Sequence, residues 1–362
     1  MSYVLAFLGF AALIILHEAG HFLAAKAVGM RVERFSLFFG PMIVKRRRGE
    51  TEYGIGVIPL GGYVKITGMN PNEEIPPEVV GRAYYNQPVW KRVVTILAGP
   101  AVNILIAFVI VWALLLSSGQ QTVVATRTVA AVERATPAAT VLKPGDVVVS
   151  VDGVTGAEAK IRGEIESHRC AGAQVDGCLA ATPARLVIRR DGRLLTMSAR
   201  PRYVAADKTT ILGFDFGSRV AGTVYPTAFG AASTSVSKLW SVTTETVSTI
   251  GRIFESKDRK QLSGVVGGYT VTQESFATST TQALEVLALI SLSLGIINLF
   301  PFLPLDGGHV FWALAEKVRG RRIPFSVMER AGVVGFALIL VLFVIGLTND
   351  ISTLSGKGFG VH

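Results

Sequence analysis

The chain has 362 residues, half of them hydrophobic and only 17% charged, with a mean hydropathy of +0.46. Soluble domains carry nearer a quarter charged residues, so the composition argues against an ordinary soluble enzyme and for lipid as part of the solvent. The formal net charge of +10 does not indicate nucleic acid, because the basic residues cluster beside long apolar runs and line no aromatic-studded surface.

Four runs are apolar enough to cross about 30 Å of hydrocarbon: Tyr3 to Val28, Val93 to Leu116, Ala283 to Phe300 and Ala331 to Leu347. The first reads as a span and not a signal peptide, since no basic stretch precedes it and polar residues occupy its second half. Lys and Arg gather between the first two spans (Arg31, Arg34, Lys45 to Arg48, Lys65, Lys91, Arg92) and between the last two (Lys317, Arg319, Arg321, Arg322). Such residues mark the cytoplasmic side, so both loops are expected inside. Both termini and the long middle segment are then expected outside.

Between the first two spans, Tyr53 to Thr67 reads YGIGVIPLGGYVKIT, an apolar stretch of strand-like content. The Gly61-Gly62 pair predicts a hairpin turn there. A free sheet edge cannot face lipid, so at membrane depth the hairpin must lean on protein or line a cavity; an edge offered to an extended substrate and an ordinary cytoplasmic hairpin are open alternatives.

The middle segment has soluble composition. Up to Tyr203 it alternates β-branched runs with turns at Lys143-Pro144-Gly145-Asp146, Asp152-Gly153 and Asp191-Gly192, which predicts a small β-rich domain. From Pro226 to Phe254 apolar residues recur at near-helical spacing (Phe229, Val236, Leu239, Trp240, Val247). Cys170 and Cys178 fit no Cys-x-x-Cys or Cys/His metal pattern, so they are not expected to bind zinc. A disulfide between them and two free thiols are open alternatives.

The chemistry lies in His17-Glu18-Ala19-Gly20-His21. On a helix, residues four apart share a face, so both imidazoles can reach one metal ion. Glu18 between them can deprotonate an attacking water, the arrangement of His-Glu-x-x-His zinc proteases. Two histidines and a carboxylate in an apolar span are costly and signal function. Catalytic zinc takes three protein ligands and leaves one position open, so a third ligand must come from elsewhere. Asp306 is the candidate, in the stretch from Asn298 through Pro301 and Pro304 to Gly307-Gly308-His309, which carries no charge before Asp306. The prolines break regular helix there. His309 is the rival, and Asp306 is preferred because two histidines and a carboxylate are a common hydrolytic set. A metal transporter would need several intramembrane carboxylates along a path, and few occur beyond Glu18 and Asp306, while an inactive capture scaffold would have little use for Glu18.

With HEAGH in the first span and NLFPFLPLDGGH after the third, the chain resembles the site-2 protease family. It looks most like the bacterial regulated-intramembrane-proteolysis (sigma-E-protease) branch, which trims anti-sigma factors. PLGGYVKITG, AGPAVN (Ala98 to Asn103), TPAATVLKPGDVVVSVDG and LSGVVGGYTV from Leu262 also match family stretches. Thr140-Val141-Leu142 and the apparent insertion from Arg162 to Pro183 depart from the pattern.

The resemblance implies a polytopic α-helical membrane protein with four transmembrane helices, a membrane-associated β-hairpin and an inserted extracytoplasmic PDZ-like α/β domain. The expected divisions are 1–121 (first half of the membrane domain), 122–203 (PDZ-like domain), 204–282 (linker with an amphipathic helix) and 283–362 (second half). His17, His21 and Asp306 would bind one Zn2+, with Glu18 as catalytic base. Asn298 would handle substrate, and Gly61 and Gly62 would lie on the hairpin that presents it. The expected setting is a bacterial cytoplasmic (inner) membrane, with the site towards the cytoplasm. The expected partners are the lipid bilayer and single-pass membrane proteins, such as anti-sigma factors already trimmed by another protease or signal-peptide remnants. No nucleic acid is expected, and the PDZ-like domain would gate or bind substrate.

Overall fold

The structure, a computed structural model, describes residues 1–70, 72–251 and 264–355. Phe254, Leu262, Ser263 and the C-terminal end, all named among the expectations, lie outside them. In chain order the elements are α1 (Ser2–Ala27), β1 (Val32–Arg48), β2 (Thr51–Ile66), α2 (Val89–Ser118), β3 (Gln120–Val132) and β4 (Val147–Val151). There follow α3 (Glu158–Ser167), β5 (Ala184–Arg190), β6 (Arg193–Ala199), β7 (Arg202–Val204), β8 (Thr209–Ile211) and β9 (Phe214–Val224). The last are α4 (Ala228–Gly251), α5 (Val265–Thr278), α6 (Thr280–Asn298), α7 (Asp306–Arg319) and α8 (Phe325–Ser355). The chain divides into two compact units, Met1–Ser118 with Pro226–His362, and Gly119–Tyr225.

In the first unit α1, α2, α6 and α8 are long and apolar enough to cross a membrane. Phe336, Leu340 and Val344, one turn apart along α8, are exposed. Lipid accepts such a face because the helix already satisfies its own backbone. Helix α2 is central and packs against α1, α4, α6 and α7. Between α2 and α6 the core is Ala107, Ala288, Leu292 and Ile296. Small residues let membrane helices approach closely, and a Cβ added to Gly20 of α1 would stand 2.6 Å from the Ala98 carbonyl oxygen of α2.

The hairpin turn is not at Gly61-Gly62. Arg48 pairs with Thr51, so the chain turns through Gly49 and Glu50, with Gly49 at φ +62°. Glycine adopts that left-handed backbone without a Cβ clash. Gly62 lies inside β2, paired with Leu37. The ribbon bends at Phe38 and Gly40, both at positive φ. Arg34 to Leu37 is consequently flanked by Glu52–Ile55 on one side and by Gly62–Lys65 on the other. Glu50 accepts hydrogen bonds at 2.8 Å from Arg82 and from Lys26, which ties the turn to the end of α1. Arg82 first, and Lys26 beside it, hold the Glu50 carboxyl down at about 2.

The second unit is a five-stranded antiparallel sheet in the order β6-β5-β4-β3-β9. Its core includes Val148, Val151, Ile161, Ile165, Leu186 and Ile188, with α3 packed on the sheet. The unit runs on to Tyr225 because β9 returns to pair along β3, from Val132↔Phe214 to Gln120↔Val224. Cys170 and Cys178 form a disulfide with their Cα atoms 6.1 Å apart.

The Lys143–Asp146 turn is fastened by Asp146, which is 2% exposed. Its carboxylate accepts from Arg190 Nε and Nη2 at 2.7 Å and from the Lys143 amide at 2.8 Å. Arg190 holds this carboxyl below the usual carboxylate range. A group depressed in this way contributes stability above its unfolded value of about 4, which is lost as pH falls through the folded value. Asp146→Asn is therefore expected to lower amide protection in β4 and β5 by roughly tenfold at neutral pH and to blunt its loss in acid. Hydrogen exchange on the two proteins checks this.

Candidate metal centre

His17 and His21 project from one face of α1, and both are buried. Asp306 is the first residue of α7, where the helix N-terminus favours a carboxylate. The segment before it is tightly folded: a Cβ on Gly307 or Gly308 would collide with the backbone of Leu299 or Leu303. Arg92 of α2 donates to Glu316 of α7 at 2.6 Å and holds the two helices together.

These elements bring three ligand atoms to one point. The Nε2 atoms of His17 and His21 are 3.3 Å apart, and Asp306 Oδ2 lies 3.3 and 3.2 Å from them. Zinc bonds of about 2.0–2.1 Å at tetrahedral angles place ligand atoms about 3.3 Å apart, so the triangle has the right edge on all three sides. Asp306 Oδ2 is buried and has no hydrogen-bond partner among the described residues. The donor set and its spacing fit zinc. His309 is not among the converging groups, although it is only three residues on.

Glu18 follows His17 on α1 and is half-buried. Strand β2 crosses directly over it, and a Cβ on Gly62 would stand 2.9 Å from Glu18 Cγ. Gly61 instead packs on the ring of Phe39. Asn298 closes α6, half-buried, and makes no side-chain hydrogen bond among the described residues. One other metal-like group occurs among them, Asp152, Glu164 and His168. Its histidine is already satisfied by Thr182 and Asp152.

Helix α2 adds Thr95, which no motif named, and Gly99, Pro100 and Asn103 of the AGPAVN stretch, to which the sequence reading gave no role. His21 Nδ1 lies 2.9 Å from the Thr95 carbonyl. A carbonyl can only accept, so Nδ1 carries the proton and neutral His21 turns a lone pair at Nε2 towards the centre. Pro100 interrupts the α2 ladder close by. Gly99 packs on the His21 ring so closely that a Cβ would overlap Nε2. Asn103, fully buried, lies against His17. Thr95 acts through its backbone and leaves no sequence signal, whereas a glycine, a proline and a buried amide inside one uncharged span are a signal of close contact.

Residues 5–342 match the family model described as peptidase family M50. The chain belongs to this family. It is 30% identical to zinc metalloprotease Rip1 of Mycolicibacterium smegmatis over 90% of this chain and 88% of that protein. It is also 30% identical to zinc metalloprotease Rip1 of Mycobacterium tuberculosis, over 84% and 83% respectively. A Brucella suis protein named as a zinc metalloprotease is 29% identical over 93% and 92%. Family M50 is the site-2 protease family, and the chain is accordingly a membrane zinc metalloprotease of the kind that works by intramembrane proteolysis.

Gly99→Ala is expected to push the His21 ring aside and weaken zinc binding about 10- to 100-fold, the range seen when a ligand loses its supporting shell. Chelator competition on the purified protein, with helix content checked by circular dichroism, measures it.

Proposed function

We propose that the protein cleaves a peptide bond within or beside the transmembrane segment of a single-pass membrane protein. His17, His21 and Asp306 hold one Zn2+, and Glu18 is the general base. The observation that carries this reading is the triangle of three ligand atoms, each about 3.3 Å from the next, beside a carboxylate one residue from the first ligand. Zinc held there supplies Lewis acidity, bringing the pKa of water towards about 7 and polarising a carbonyl. Glu18 takes the proton from the attacking water and returns it to the leaving amine.

A transmembrane helix closes its amides into internal hydrogen bonds, so the substrate must unwind before attack. Strand β2 supports that step. Gly62 has no side chain, which lets β2 lie close against Glu18, and an extended segment paired at the sheet edge near Gly61 and Gly62 would then run beside the catalytic residues. Asn298 is given a part in handling substrate on the family resemblance alone.

The distribution of Lys and Arg favours a bacterial cytoplasmic membrane, with β1 and β2 on the cytoplasmic side and the Gly119–Tyr225 unit outside. We read that unit as a PDZ-like domain. Its groove of about 180 Å3 lies between α3 and the start of β9, and Ile165, Leu212 and Phe214 are among its lining. Arg162 lies 5.4 Å over the Phe216 ring across the same groove, which favours a domain that limits access by size over one that holds a peptide tail. Substrates would then be membrane proteins whose outer domain is already removed, such as trimmed anti-sigma factors or signal-peptide remnants.

Glu18→Gln is expected to reduce cleavage of a model single-pass substrate at least 100-fold with zinc content unchanged. Asp306→Ala is expected to lose most of the zinc. Gly62→Val should keep the zinc and lose cleavage, because its side chain would collide with Glu18 and push β2 away from α1. Cleavage by Glu18→Gln at the wild-type rate, with a substrate of truncated outer domain, contradicts the assignment.

A further inference from the structure

We infer that Asn103 is a positioning residue of the metal centre, whose side-chain carbonyl oxygen accepts a hydrogen bond from His17 Nδ1–H and so directs the lone pair of Nε2 to the ion. The inference rests on the proposed role of His17 as a zinc ligand.

Asn103 lies inside the uncharged span of α2 and is fully buried. One end of its amide is 3.1 Å from His17 Nδ1. The nitrogen and oxygen of an amide are exchanged by a half-turn, and the choice between them follows from the partner's chemistry. A metal ligand at Nε2 must leave that nitrogen unprotonated, so neutral His17 carries its proton on Nδ1. That proton requires an acceptor, and the amide oxygen is the acceptor within reach. With the nitrogen turned towards His17 instead, Oδ1 is buried without a hydrogen-bond partner, so nothing among the described residues holds the amide in that sense.

The second ligand is held in the same way. His21 Nδ1 is tied to a backbone carbonyl of the same helix at 2.9 Å. Both imidazoles of α1 are thus aimed from α2, at Thr95 and, two turns further on, at Asn103. Asn103 is itself braced: Ser291 of α6 donates to its main-chain carbonyl oxygen at 2.9 Å, and Gly295 of α6 packs against its Cβ. A ligating histidine commonly donates its other N–H to such a partner, and loss of that partner weakens metal binding about 10- to 100-fold.

The test is zinc affinity of the purified full chain by competition with a chromophoric chelator, for wild type, Asn103→Leu, Asn103→Asp and His17→Ala. Asn103→Leu keeps the volume and removes the acceptor, so it should weaken zinc binding about 10- to 100-fold. Asn103→Asp keeps an acceptor and cannot donate, so it should bind within a few-fold of wild type. The inference is overturned if Asn103→Leu binds zinc as wild type does. It is equally overturned if Asn103→Asp is as weak as Asn103→Leu, because the amide then acts as a donor or only as packing. If His17→Ala also binds like wild type, the ligand assignment itself has failed, which separates that failure from a failure of Asn103 alone.

Discussion

Two imidazoles and a carboxylate held within about 3.3 Å of one another, in an apolar helical unit, are the constraint on which our account of this protein rests. Each group loses hydration, and ionisable groups at membrane depth survive only when paired. Asp306 Oδ2 accepts no hydrogen bond among the described residues, and the two Nε2 atoms face each other. A divalent cation satisfies all three at once. The remaining architecture follows from bringing α1 and α7 to that point and keeping them there.

Helix α2 performs this alignment. It touches α1 through Gly20 and Gly99, α6 through an alanine-rich seam, and α7 through Arg92 and Glu316. Its Thr95 carbonyl orients His21. Strand β2 covers Glu18 with a residue that has no side chain. The centre is therefore flanked by helices and by a sheet, and the non-helical backbone of β2 leans on protein at Glu18.

The spans, the His-Glu-x-x-His pair and Asp306 behind its two prolines were legible because each signal is local: a run of hydropathy, a helical spacing of four, a proline that stops a helix. What was not legible depends on distant partners. Gly61-Gly62 has the local signature of a turn, yet Gly62 is required where β2 meets α1, and Gly49 makes the turn. The middle unit extends past Tyr203 because β9 comes back to β3, a pairing across some ninety residues that no local pattern announces. Cys170 and Cys178 could be matched only once their backbone geometry was known. Thr95 contributes a carbonyl, which every residue has.

The most direct measurement of the central claim is zinc K-edge X-ray absorption on the purified protein. Ligation by His17, His21 and Asp306 predicts a four-coordinate site of nitrogen and oxygen atoms at about 2.0–2.1 Å, with imidazole scattering from two histidines and no sulfur. Sulfur at about 2.3 Å, six-coordination, or a spectrum unchanged by Asp306→Ala would contradict it.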